Sequence, residues 1–394
     1  MKAFLRGLHR WCGLVIALFV AVTALTGSLI AFEHELDAWL NPALFKTGDT
    51  RPALPFDTLL ARIESQDGRI RVTQLPLDTP PGQASEVQVE ARSGAAGVDF
   101  DRMFVDPASG RILGTRKWGA WHGDSAHLMP WLNRFHRNLA LPGQWGSRLL
   151  GWVCVAWLLI SLAGLYLTFP TRPGRPWRSA WRMSLEVRGL KLVNDLHRVL
   201  GLWTLLVALP IAFTGVYLSL GNDVFKPLAS LFGPISPHPV AARAQTAMPS
   251  STPPPISARQ SVVLARALLP EGTRDYEPWY FGHLASRGMY RVAFKEKNLR
   301  ESALRVRYEQ VFIDDRTGEL AGRFGYASGT PVDRFLVWQY PVHSGKVLGP
   351  LGRALVALGG VLIVLLCAVG VMRYGMRTAK PRRPPASRAP GRGQ

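Results

Sequence analysis

Four stretches of the chain carry no charge for the length of a membrane crossing: residues 11–32, 149–169, 199–220 and 354–372, of 22, 21, 22 and 19 residues. At ~1.5 Å of rise per residue, each reaches roughly the 30 Å of a hydrocarbon core. Buried helices of a water-soluble protein rarely stay apolar on every side for so long, so the pattern predicts four transmembrane helices. Lys2, Arg6 and Arg10 precede the first run, as they would a secretory signal. The run is longer than the about 7–15 residues of a signal core, and Ser28-Leu29-Ile30-Ala31-Phe32-Glu33 offers no A-x-A site, so it is expected to remain as a helix.

Two long polar segments separate the apolar runs, and there the periodicity falls from helical to two. Glu86-Val87-Gln88-Val89-Glu90 alternates cleanly, residues 101–105 do so more loosely, and residues 289–294 and 306–313 alternate in the second segment, all predicting strands. The turn in Phe104-Val105-Asp106-Pro107-Ala108-Ser109-Gly110 has a counterpart in Phe312-Ile313-Asp314-Asp315-Arg316-Thr317-Gly318, where Asp followed four residues later by Gly suits a tight connection between strands. Amphipathic helices are predicted over 58–64 and 259–269. Seven prolines between Pro234 and Pro255 predict an irregular loop, and the Arg/Pro-rich tail from Arg377 predicts disorder near anionic lipid heads.

The net charge of +20 would suit a nucleic-acid binder, but its distribution argues otherwise. Residues 1–10, 170–198 and 373–394 hold 17 Lys and Arg against only Glu186 and Asp195, while the 13 basic and 13 acidic groups of residues 34–148 cancel. The positive-inside rule therefore puts both termini and the middle loop in the cytoplasm and the two polar segments outside. No base-reading motif accompanies the charge, so nucleic acid is not an expected partner; the lipid membrane is. Cys12, Cys154 and Cys367 all fall in the apolar runs, leaving no disulfide outside and no C-x-x-C-H for covalent haem.

The two halves repeat. Leu8-His9-Arg10-Trp11-Cys12-Gly13 answers to Leu196-His197-Arg198-Val199-Leu200-Gly201 at an offset of 188 residues, and Thr26-Gly27 to Thr214-Gly215 at the same offset. Both copies start on the same side, so this is a parallel repeat with an approximate two-fold axis along the membrane normal. His9 is then expected to face His197 at the cytoplasmic end, with helices 1 and 3 on one diagonal of a four-helix bundle. A second pair, His136 and His343, precedes the other two helices in glycine-bearing turns and is expected at the outer end.

A single histidine at a membrane boundary is as readily an interfacial anchor. An anchor would not need glycine at +4, on the same helical face, whereas a flat macrocycle would. Two axial imidazoles per iron suit electron transfer. His9 with His197, and His136 with His343, are thus candidate haem ligands, with Arg148 and Arg353 as candidate partners of haem propionates or as snorkelling anchors. The remaining histidines point elsewhere. His34 reads as a surface residue, His122 and His127 have metal-like spacing without a counterpart, and His238 and His283 lack context. Pro210 reads as a kink in helix 3.

The helix starts Leu-His-Arg-x-x-Gly, the Asp-x-x-(Ser/Thr)-Gly turns and the four-helix layout together resemble the PepSY-associated transmembrane proteins, and among them the siderophore-iron reductases. The resemblance covers nearly the whole chain except the basic tail. It implies an α-helical bundle of four transmembrane helices with two α+β, PepSY-like periplasmic domains, set in the bacterial inner membrane. It also implies two non-covalent b-type haems and one-electron reduction of ferric siderophores, hydroxamates being the expected type. The expected divisions are 1–34, 35–134, 135–170, 171–198, 199–220, 221–340, 341–373 and a tail of 374–394. No G-x-G-x-x-G motif or sizeable cytoplasmic domain is present, so the electron donor is expected to be a reductase, a reduced flavin or a quinol. The rival expectations are another periplasmic electron acceptor, a haem-free PepSY anchor that binds a partner protein, and a transporter. The last would want polar groups at the midplane that these runs lack.

Overall fold

A computed structural model describes residues 1–92, 94–170, 176–183, 186–244, 254–297 and 307–378. Four helices are long and apolar enough to cross a membrane: Lys2–Ile30, Trp145–Thr168, Gly189–Leu220 (with helical turns continuing to Phe232) and Gly349–Thr378. We refer to them as the first to fourth membrane helices. Each exceeds its uncharged run, so His9 and His197 lie within helices rather than ahead of them. The first packs on the second and fourth, and the third on the same two, which leaves the first and third on one diagonal, as expected. The mid-bundle core is Ile16, Val20, Val153, Ile160, Ala208 and Ile363. Small residues bring the helices close: a Cβ on Gly360 would meet the Ser28 hydroxyl, and that hydroxyl donates across the interface to the Ala357 carbonyl at 2.9 Å. Pro210 does not break the third helix.

At the end opposite Lys2, each polar segment supplies one amphipathic helix and a four-stranded antiparallel meander. Helix Phe56–Gln66 precedes β1 (Ile70–Pro76), β2 (Ser85–Ala91), β3 (Arg102–Val105) and β4 (Ile112–Arg116). Helix Ala258–Ala267 precedes β5 (Glu277–Leu284), β6 (Met289–Lys295), β7 (Tyr308–Asp314) and β8 (Leu320–Gly325). The predicted turns connect β3 to β4 and β7 to β8. Asp106 and Asp314 accept from backbone amides two or three residues on, and Gly110 and Gly318 take left-handed φ of 73° and 75°.

The two segments do not keep separate sheets. β1 pairs antiparallel with β5, Leu75 opposite Phe281 and Pro76 opposite Tyr280, giving one eight-stranded sheet in the order β4-β3-β2-β1-β5-β6-β7-β8. Two separate meanders would each leave β1 or β5 with a row of unpaired backbone groups, and the shared seam satisfies both edges. Phe56 and Leu60 pack against the cores of both halves, so the seam is bridged by side chains as well.

A second correction concerns the outer histidines. They do not sit in turns. His136 lies in the last turn of helix Ser125–Asn138, and His343 ends helix Pro331–His343. Both helices have firm starts: Asp124 accepts from the His127 amide, and Thr330 with Asp333 forms a capping box. Each also contains a proline, Pro130 or Pro341, the residue that usually marks a helix end in sequence. The tail beyond residue 378 and part of the proline-rich loop (245–253) lie outside the described residues.

In the first half a buried ion pair links sheet to bundle. Arg116 on β4 bonds Asp37 at 2.7 Å, with 3% and 4% of the side chains exposed. Asp37→Ala would leave the buried guanidinium with only Glu86, 3.4 Å away, and the Ala126 carbonyl, and the expected cost is at the low end of about 3–5 kcal/mol. Chemical denaturation of the detergent-solubilised variant checks this; an unchanged midpoint would show that the pair carries no such weight.

Candidate functional site

The two histidine pairs form as separate sites at two depths. At the basic end, the His9 and His197 ring centroids lie 6.1 Å apart at an interplanar angle of 74°. Near the sheet, His136 and His343 lie 6.4 Å apart at 59°. Imidazole nitrogens bind a transition metal at about 2 Å, so two rings trans on one ion place their centroids about 6 Å apart once each ring's own half-width is added. Direct hydrogen bonding between the rings would bring them closer. Along the first helix, the 17 residues from His9 to Thr26, which touches His136, span about 25 Å, so the pairs lie near opposite faces of the bilayer.

For three of the four rings a hydrogen bond fixes which nitrogen is free; the Nδ1 of the fourth, His197, is buried without a hydrogen-bond partner. His9 Nδ1 is 2.9 Å from the Ile160 carbonyl, which can only accept, so Nδ1 carries the proton and Nε2 is bare. The outer pair reaches the same result through hydroxyls. Thr26 Oγ1 donates to the Val22 carbonyl at 2.9 Å and Thr214 Oγ1 to the Pro210 carbonyl at 2.7 Å, so each oxygen is left to accept from histidine. His136 Nδ1 lies 3.0 Å from Thr26 Oγ1 and His343 Nδ1 lies 2.9 Å from Thr214 Oγ1. A bare Nε2 held by an Nδ1–H bond is how metal-ligating histidines are commonly oriented. Burial pushes His136 down to about 3, helped by His343, and burial pushes His343 down to about 4, so both rings are in the neutral, ligating form near pH 7.

Glycines make room for these rings. A Cβ on Gly164 would sit 2.9 Å from His9 Cε1, one on Gly370 3.3 Å from His197 Cε1, and one on Gly27 3.0 Å from His136 Cε1. Gly13 and Gly201, singled out at +4, line a cavity of about 880 Å³ that also includes His9 and His197. That volume falls in the about 300–1,000 Å³ range of cofactor sites. Its walls are Leu14, Ala17, Leu205 and similar groups, with Arg6, Arg10, Arg373 and Arg377 toward the basic end. An apolar slot holding two imidazoles about 6 Å apart, with cations at one end, has the size and chemistry to fit a tetrapyrrole with acidic side groups.

Arg148 and Arg353 are engaged elsewhere. Arg148 Nε donates to Asp223 at 3.0 Å. The guanidinium of Arg353, whose side chain is 7% exposed, donates to the Ala31 carbonyl at 2.7 Å and to Glu35 at 2.5 Å. Each arginine ties one helix start to a neighbouring segment. The Thr-Gly pairs had registered in sequence only as markers of the repeat. Their identical spacing from His9 and His197 was the available signal that they serve the other histidines.

The other histidines stay outside these sites. His34 meets Phe45 edge to face, His283 pairs with Asp315 at 3.0 Å, and His238 packs on Phe312 and Phe324. His122 and His127 lie 4.2 Å apart with His127 bonded to Asp124, yet among the described residues no group of three or more His, Cys, Asp and Glu is arranged to hold a metal ion.

Comparison with curated proteins finds no match. The family model for the PepSY-associated TM region matches residues 6–377, which include both histidine pairs, all four membrane helices and the whole sheet. The chain is therefore a multi-pass membrane protein that belongs to the PepSY-associated transmembrane family.

Proposed function

We propose that this protein is a di-haem b-type cytochrome of the bacterial inner membrane, carrying single electrons outward to reduce siderophore-bound ferric iron in the periplasm. The observation that carries the reading is the pair of facing imidazoles at each of two depths, every pair about 6 Å between centroids. His9 and His197 would hold one haem, and His136 and His343 the other. When bound, haem supplies one-electron redox chemistry, which the polypeptide lacks. The chain's own part is to ligate through neutral Nε2, to fix the tautomer through Ile160, Thr26 and Thr214, and to keep the route dry with the mid-bundle core.

Two further points support the direction and the acceptor. The basic flanks favour a cytoplasmic location for that end, which leaves the sheet in the periplasm. Ferric iron is held tightly by hard oxygen ligands and ferrous iron more weakly, so adding one electron releases the metal and spares the chelator. The donor would be a reduced flavin, a reductase or a quinol. Reporters fused after Arg377 should read cytoplasmic and those inserted at Gly94 or Gly272 periplasmic; a reversed reading at any one site overturns the orientation. For the activity, dithionite-reduced protein is mixed with a ferric hydroxamate and a ferrous-iron trap. Rapid reoxidation with trapped Fe(II) is expected. Oxidation by quinone or a periplasmic protein, but by no ferric siderophore, would leave a cytochrome and discard the reductase.

A further inference from the structure

The second half of the protein holds a cavity of about 470 Å³ between the sheet and the helix that ends at His343. Its sheet wall is aromatic, with Trp279, Tyr280, Tyr308 and Phe324. Its opposite wall includes Tyr340 and Pro341. Tyr340 is three residues before His343, about 4.5 Å along the helix, so the cavity adjoins the outer histidine pair.

The first half carries different chemistry at the corresponding hairpin position. Arg116 lies two residues past Gly114, as Phe324 lies two past Gly322, in the matching β-hairpins. Arg116 is buried, bonds Asp37, and lies against the rings of Phe45 and Phe104. The second half has Phe225 at the place of Asp37, counted on the 188-residue offset, and no ion pair forms across Phe324. The matching hairpin position is thus a buried, ion-paired arginine in one half and an aromatic cavity wall in the other.

The chemistry of the lining narrows the ligand. Asp333 is committed to the amides of Thr330 and Ser236, and Lys226 bonds Asn222. One cation and one anion leave the cavity near neutral overall. Gln310, a residue 9% exposed, borders the cavity beside Tyr308. Burial pushes Tyr308 up to about 12, so its phenol stays protonated and neutral. Aromatic faces with a few neutral polar groups suit a compact solute without net charge. They disfavour a multiply charged one, which would be stripped of water with only one lysine to meet it.

We propose that this cavity is the docking site of the electron acceptor, and that it takes a small ferric chelate of zero net charge. Three monoanionic hydroxamates around Fe(III) give such a complex, whereas three dianionic catecholates leave a charge of −3. The proposal rests on the reductase reading. Its step is one electron in and Fe(III) to Fe(II), with no proton or covalent bond exchanged.

Gallium(III) separates docking from chemistry, because it copies the charge and coordination of Fe(III) and is not reduced. The full-length haem-loaded protein is titrated calorimetrically with the Ga(III) complex of a tris-hydroxamate. Wild type and Trp121→Ala, an exposed site in the first half, should bind alike. Trp279→Ala should weaken binding at least tenfold, and Tyr308→Phe, which keeps the packing, severalfold, with haem spectrum and oxidation by ferricyanide unchanged. A Ga(III) tris-catecholate should bind at least tenfold more weakly than the hydroxamate. Equal binding by wild type and both cavity variants would overturn the site, and tighter binding of the catecholate would overturn the charge class. Binding that the variants lose, in a protein that no ferric chelate reoxidises, would uphold the site and discard the reductase. Reoxidation by ferric hydroxamate that the variants leave untouched would do the reverse.

Discussion

Alanine at His9 or His197 should lower the haem content of the purified protein from two per chain to about one, and alanine at His136 or His343 should remove the other one. Each pair has its own orienting contacts, Ile160 for His9 and the two threonines for the outer rings, so loss in one site need not spread to the other. Their separation along the helix, about 25 Å, argues for the same independence. The pyridine haemochrome assay counts the haem, and the low-spin bis-histidine spectrum reports on what remains. Thr26→Val should keep the ring's space and lose only the Nδ1 partner, at a cost of about 10–100-fold in haem affinity. Retention of two haems by all four alanine variants would end the assignment.

Loss of the outer pair should abolish reoxidation of the reduced protein by ferric hydroxamate, by a factor of at least 100 in stopped-flow rate. On the proposed reading the acceptor meets the protein on the sheet side, and the remaining inner site lies about 25 Å away along the first helix. Loss of the inner pair should have the opposite signature: the outer haem, reduced chemically, still gives up its electron at close to the wild-type rate. What fails is refilling by a donor from the basic end. Equal impairment of both half-reactions by either variant would mean that the two sites do not act in series.

The membrane helices were legible because lipid leaves a backbone few options: each run of about 20 apolar residues must satisfy its own hydrogen bonds as a helix. The β3–β4 and β7–β8 hairpins were legible for a local reason too, the Asp-to-Gly turn. The β1–β5 seam was not. Its partners lie some 200 residues apart, and neither Ile70–Pro76 nor Glu277–Leu284 carries anything in its own pattern that names the other. The outer histidines were found by repetition, but their helices were hidden by Pro130 and Pro341. The ion pairs of Arg148 with Asp223 and of Arg353 with Glu35 were not legible, since their partners lie 75 and 318 residues away in sequence.

The contrast between Arg116 and Phe324 bears on how a two-fold arrangement can be used. In an assembly of two identical chains every surface recurs, so a docking pocket beside one membrane pair would come with a twin. Here the seam between β1 and β5 joins two halves that are free to differ, and one buries an ion pair where the other has an aromatic cavity wall. On the proposed reading, two haem depths would serve a single acceptor berth. Traffic through the protein would then be a one-lane queue, in which a chelate must leave before the next is charged, and turnover should saturate at one bound acceptor per chain.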